Sequence, residues 1–139
     1  MKFEKYLTTR SIYCVECGFR VLARLTNGLE IYPHRPDLES LPFWKCDTCD
    51  NYVGCHHKTK NRTRPLGVIP NQRVREWRPE IHSLLDPLWR SKKIDRAELY
   101  SKLSERLGRT YHTAELRTPK ECEDMYLAIV DIKNGLEND

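Results

Sequence analysis

An α+β fold is predicted for this 139-residue chain: an amino-terminal β-hairpin module with a four-cysteine cluster, packed on a carboxy-terminal bundle of about three helices. Three observations predict it. Two Cys-x-x-Cys pairs, Cys14/Cys17 and Cys46/Cys49, are separated by 28 residues. Between them, Phe19, Val21, Ala23 and Leu25 alternate with polar or mixed neighbours, the period of a half-buried strand. Beyond them, apolar residues recur at helical spacing in three successive segments.

The stretch SIYCVECGFRVLARL reads as a cysteine knuckle running into a strand. Asn27-Gly28 is a favoured hairpin turn, because both residues tolerate positive φ, and LEIY then returns as the partner strand. The loop PHRPDLESLP delivers the chain to Trp44 and the second cysteine pair. A hairpin between two knuckles outlines a zinc ribbon. KTKNRTRPLGVIPNQ follows as a basic, irregular connection with a short strand over residues 66–69. The expected modules are residues 1–68, the ribbon with its basic connection, and residues 69–139, the helices. The first helix begins near Asn71 and carries Val74, Trp77, Ile81, Leu84, Leu85 and Leu88. Pro79 should kink or split it and Pro87 should end it, since proline removes an amide donor and crowds the preceding turn. In DRAELYSKLSERLG, Asp95 and Glu98 form a reciprocal cap, Leu99, Leu103 and Leu107 an apolar stripe, and Gly108 the stop. In TPKECEDMYLAIVDIKNG, Thr118 caps, Pro119 opens the first turn and Glu121 closes the box. Cys122, Met125, Tyr126, Ile129 and Val130 fall on one face, and Asn134-Gly135 ends the helix.

Composition narrows the class. Apolar residues are 39% of the chain, charged residues 32%, and mean hydropathy is −0.71, so the core is thin and a metal would support the smaller half. The start lacks the apolar region of an export signal, and the longest aliphatic run is the tetrapeptide LAIV, so no membrane partner is expected. The chain is read as cytoplasmic, where thiols stay reduced and six cysteines suggest metal ligation before disulfides. There is no glycine-rich phosphate loop and hence no expected small-molecule cofactor.

The spacing Cys-x-x-Cys lets two sulfurs hold one ion, and two such pairs satisfy the tetrahedral preference of Zn²⁺. Cys14, Cys17, Cys46 and Cys49 are therefore the expected ligands of one structural zinc. Four thiolates close the shell, which makes the ion a crosslink and not a Lewis acid. Such a site supplies about 10–16 kcal/mol of apparent free energy, more than the hairpin obtains from its few apolar contacts. Cys55 is expected to pack as a small apolar residue beside Tyr52 and Val53, with a substitute ligand or reactive thiol as the alternative. Cys122 belongs to a core face.

The ordered set of two knuckles, YVGCH, PLG, HSLLDPLW, an R-A-x-x-Y-x-x-L helix, a histidine at 112 and a cysteine at 122 resembles the zinc-finger-containing domain family of unknown function found in bacteriophage and bacterial proteins. The resemblance runs from Cys14 to Cys122. It implies that the helical half belongs with the ribbon, and that Gly54, His56, Pro65, Leu66, Gly67, His82, Asp86, Trp89, Arg96 and Tyr100 match the family pattern. Pro79 departs from it. A phage origin would imply action on host machinery in the host cytoplasm.

Charge is unevenly spread. Residues 1–55 are net neutral, whereas residues 56–78 carry a net charge of +6. Lys58, Lys60, Arg62 and Arg64 alternate with small polar residues, so an extended backbone would set them along one side, and Arg73, Arg75 and Arg78 would prolong the track. Such a stripe neutralises phosphates. The leading expectation is a non-catalytic module that binds nucleic acid or a host nucleoprotein complex through this segment. A protein-directed inhibitor or adaptor engaging a host protein is the second. The third is a metal-dependent nuclease built on His56, His82, Asp86 and His112, which otherwise form a buried hydrogen-bond network around the His82–Asp86 pair.

Overall fold

A computed structural model describes residues 8–137. The chain divides into two compact units, one running to Asn71 and the other starting at Gln72. The first is β-structured and the second helical, so the α+β expectation holds.

The β unit is a four-stranded antiparallel meander: β1 (Thr9–Cys14), β2 (Phe19–Asn27), β3 (Pro42–Lys45) and β4 (Tyr52–Gly54), in that spatial order. Each cysteine knuckle is a hairpin turn. The first links β1 to β2, where Cys14 pairs with Phe19, and the second links β3 to β4, where Lys45 pairs with Tyr52. Arg24 of β2 pairs with Lys45, so both knuckles project from the same end of the sheet.

The expected hairpin is corrected here. β2 does not return through LEIY. Asn27 is extended (φ −140°) and caps a helical turn, α1 (Gly28–Ile31), its Oδ1 accepting from the Glu30 amide at 3.3 Å. Gly28 lies under a neighbouring loop: a Cβ there would stand 1.7 Å from the Leu38 carbonyl oxygen. The glycine is selected by that close approach and not by positive φ. After a single 3₁₀ turn at Pro36–Leu38 the chain enters β3, the true partner of β2.

Residues 65–69 are not a sheet strand but a strap. The Leu66 amide donates to the Gly54 carbonyl (2.9 Å) beside β4, while beside β1 the Ile69 amide donates to the Tyr13 carbonyl (2.8 Å) and the Ile69 carbonyl accepts from the Val15 amide (2.9 Å). Five residues span at most about 14 Å between their end Cα atoms, so the sheet curls until its two outer edges face one strap. Ile12, Ala23, Trp44, Val53, Cys55 and Ile69 fill the interior with Cys14 and Cys46.

The helical unit contains α2 (Gln72–Arg90), α3 (Arg96–Leu107) and α4 (Pro119–Glu137). Buried Val74, Ile81, Leu85 and Leu88 give α2 its apolar face, and Leu99 and Leu103 of α3 with Cys122, Met125, Ala128 and Ile129 of α4 complete the core. Two stops expected from sequence fail. α2 runs through Pro79 and past Pro87: each interior proline costs about 3 kcal/mol, but four buried aliphatic side chains at about 2 kcal/mol each hold the helix in register. α4 likewise passes Asn134-Gly135 to reach Glu137. Gly108 does end α3, at φ 83°, whereas Asp95 occupies its N-cap without a side-chain hydrogen bond. The Thr118 cap forms, with Oγ1 accepting from the Glu121 amide at 3.0 Å. No described helix is long and apolar enough to cross a membrane.

Candidate metal centre and nucleic-acid interface

The common end of the sheet brings the knuckles together. Cys14 Sγ lies 3.4 Å from Cys49 Sγ and Cys17 Sγ lies 3.7 Å from Cys46 Sγ, and all four sulfurs fall within 4.8 Å of one another. A tetrahedron with zinc–sulfur bonds of about 2.3 Å has edges of about 3.8 Å, so the four sulfurs fit one zinc ion. Among the described residues this is the only group of three or more histidines, cysteines or carboxylates close enough to share a metal.

The knuckles reach this geometry by the same backbone device. The Gly18 amide donates to the Cys14 carbonyl and the Asp50 amide to the Cys46 carbonyl, both at 2.8 Å. Gly18 (φ 80°) and Asp50 (φ 64°) adopt the left-handed conformation that closes such a turn. The enclosed amides serve the sulfurs. Burial opposes ionisation of Cys46, but hydrogen bonds from the Cys49 and Thr48 amides and from the Cys49 and Cys17 thiols together lower its pKa. Burial pushes Cys14 well above the ordinary thiol range despite the Cys17 amide. Zinc, when bound, supplies the charge that lets four thiolates coexist in this space, and its uptake releases protons.

Salt links brace the second knuckle. Arg24 donates to Asp47 at 2.8 and 2.9 Å and to Glu30 at 2.8 and 3.0 Å, and Lys45 approaches Glu30, Asp47 and Asp50 at 3.2–3.4 Å. The Arg24 guanidinium, with the Thr26 hydroxyl, pulls the Glu30 carboxyl down to about 2. These cations are consumed internally.

Cys55 is buried at 3% exposure, and burial raises its thiol to about 11; it packs as expected and stands outside the ligand set. Cys122 is fully buried in the helical core.

The basic segment differs from its expected form. Lys58, Lys60, Arg62 and Arg64 do not lie on an extended backbone. The chain folds into successive turns, with hydrogen bonds from Thr59 to His56, Arg64 to Asn61 and His56 to Arg64. The buried Trp44 indole donates to the Thr63 carbonyl at 2.6 Å and ties this loop to β3, two residues before Cys46. Folding places Lys60, Arg62 and Arg64 around an open cleft of about 440 Å³ completed by Arg10 of β1, Asn61 and Thr63. Lys58 is exposed but outside the lining. Sequence reasoning missed Arg10, because only the curled sheet brings residue 10 beside residues 60–64.

Arg73, Arg75 and Arg78 belong to α2 in the other unit. Helical rotation turns Arg73 away from the other two. Arg73 is exposed, whereas Arg78 is half-buried and donates to the Ala114 carbonyl at 2.9 Å, so the three do not form one track. His82 Nδ1 and Asp86 Oδ1 are 3.2 Å apart, but His82 is exposed and the pair is a surface feature, not a buried network. His112 is exposed beside a 3₁₀ turn at Thr113–Glu115, and His56 lies half-buried in the β unit.

Residues 10–129 match the zinc-finger-containing domain, a family of unknown function. The chain belongs to that family. The match spans both knuckles, the basic loop and most of the helical unit, so the family unit includes ribbon and helices alike. Comparison with curated proteins and with solved structures returned no match.

Proposed function

We propose that the protein is a non-catalytic, zinc-braced module that binds nucleic acid through the cleft lined by Arg10, Lys60, Arg62 and Arg64. The observation that carries this reading is the charge of the cleft: four cations, no carboxylate in the lining, and no ion pair from any of the four to a described acidic residue. Elsewhere in the β unit, Arg24, Lys45 and Arg35 are spent on Glu30, Asp47, Asp50 and Asp37. Unpaired cations around a concavity attract a polyanion and release its counterions on contact. Asn61 and Thr63 add neutral donors to sugar–phosphate oxygens.

Zinc contributes position and not chemistry. Its sulfur shell leaves no open coordination site, and the described residues offer no second metal-binding group for a nuclease. The route from metal to cleft is short: Cys46 follows β3, and β3 carries Trp44, whose indole holds the basic loop. The test is fluorescence anisotropy of a labelled 20-base-pair duplex and a matching single strand, with zinc-loaded protein, across a salt series. Binding that weakens steeply with salt supports the reading; absence of binding to either at low salt refutes it.

A further inference from the structure

The helical unit carries an arginine–aromatic ladder that the metal centre and the basic cleft do not use. Tyr111 is buried at 1% exposure and meets Tyr100 edge-on, centroids 5.4 Å apart. The Arg96 guanidinium lies 4.2 Å from the Tyr100 ring centre and 5.6 Å from that of Trp89. Arg90 lies 5.3 Å from the same Trp89 ring. The Trp89 indole donates to Asp86 Oδ1 at 3.2 Å, the oxygen that also meets His82. The connecting turn holds Lys92 at φ 64°, a conformation that costs a non-glycine residue about 1–2 kcal/mol. That turn returns the chain so that Arg96 stacks over a ring seven positions earlier.

The ladder runs from core to surface and ends in two exposed arginines. Arg90 has 68% of its side chain exposed and reaches Asp86 only at 3.9 Å. Arg96 is exposed and makes no ion pair with a described carboxylate. A free arginine side chain loses up to about 2 kcal/mol of rotamer entropy when it is fixed. Here the rings restrain it beforehand, and a stacked guanidinium keeps its in-plane N–H fork for a planar, two-oxygen acceptor. Preformed tryptophan, tyrosine and arginine clusters are the composition of protein-interface hot spots.

We propose that Arg90 and Arg96, stacked on Trp89 and Tyr100, form a docking site for a carboxylate side chain in an acidic segment of a protein partner. The Asp86 carboxylate held within the ladder favours this over a nucleic-acid backbone. Within the ladder Asp86 stands 3.9 Å from Arg90, whereas the lining of the β-unit cleft holds no carboxylate. A lone carboxylate can displace the distant Asp86 contact of Arg90 or take the fork of Arg96; a continuous phosphate track would bring several more negative charges past Asp86. The proposal is independent of the nucleic-acid reading.

The test is NMR titration of the zinc-loaded, ¹⁵N-labelled full chain, following the Arg90 and Arg96 Nε–Hε and Trp89 indole signals. The probes are a blocked decapeptide alternating Glu and Gly, the same peptide with Gln for Glu, a ten-residue oligothymidylate and inorganic phosphate. The Glu peptide should move all three signals and the Gln peptide should not. Arg96→Lys, which keeps the charge but loses the fork, should bind about tenfold more weakly. Equal shifts from both peptides, no shift from the Glu peptide at millimolar concentration, or stronger shifts from oligothymidylate or phosphate would each overturn the proposal. The wild-type comparison of the two peptides decides the matter even if the variant is unstable.

Discussion

Arg10 is the most informative residue to remove, because nothing in the local sequence joins it to the basic loop. Arg10→Ala takes away one of the four cations that line the cleft. If each cation neutralises one phosphate of a duplex, log K falls with log salt at a slope of about −3.6 in the wild type and about −2.7 in the variant. Between 50 and 200 mM salt the wild type then loses about 150-fold in affinity and the variant about 40-fold. Anisotropy of a labelled duplex, repeated at several salt concentrations with zinc-loaded protein, reads both slopes. Lys58→Ala is the matched control, since Lys58 belongs to the same charged segment but lies outside the lining. Equal slopes for wild type and Arg10→Ala, or a larger change for Lys58→Ala, would refute the assignment of the cleft.

Three further expectations follow from packing and charge. Gly28→Ala places a methyl 1.7 Å from the Leu38 carbonyl oxygen, so urea unfolding of the zinc-loaded protein should show a loss of about 1–3 kcal/mol; a change below about 0.5 kcal/mol would mean the loop yields freely. Cys55→Ala should keep one zinc per chain by elemental analysis, while Cys46→Ala should lose it, because only the latter sulfur belongs to the cluster. Glu121 is held below its ordinary carboxylate pKa chiefly by Arg109, which binds it at 2.7 and 2.9 Å. A depressed folded-state pKa contributes stability above the unfolded value that disappears as pH falls through the folded value. Glu121→Gln should therefore cost about 0.5–1 kcal/mol at pH 7, and the gap from wild type should close below pH 4; a gap constant with pH would contradict the pairing.

What the sequence exposes and what it hides have physical reasons. The metal ligands were legible because Cys-x-x-Cys spacing is dictated by coordination geometry and needs no knowledge of the rest of the chain. The three long helices were legible because burial of one face imposes a period. Their limits were not: Pro79, Pro87 and Gly135 disfavour helix locally, yet packing of Val74, Ile81, Leu85 and Leu88 carries α2 through its prolines. The Asn27-Gly28 pair misled because asparagine caps a helical turn as readily as it enters a hairpin, and the deciding contact with Leu38 is tertiary. β1 was hidden by its composition, since Thr9, Arg10 and Ser11 are exposed and only Ile12 and Cys14 face the core. The alternating charges of residues 58–64 were visible, but their conformation depends on Trp44 and on the curl of the sheet. The ladder over Trp89 depends on a left-handed residue at Lys92, for which a lysine gives no local signal.

The account rests on a metal clamped by sulfur at one end of a small curled sheet. Zinc K-edge X-ray absorption on protein purified without added metal tests it most directly. The expected result is one zinc per chain surrounded by four sulfurs at about 2.3 Å. A chain free of zinc, or a shell in which imidazole nitrogen replaces any of the four sulfurs, would contradict it.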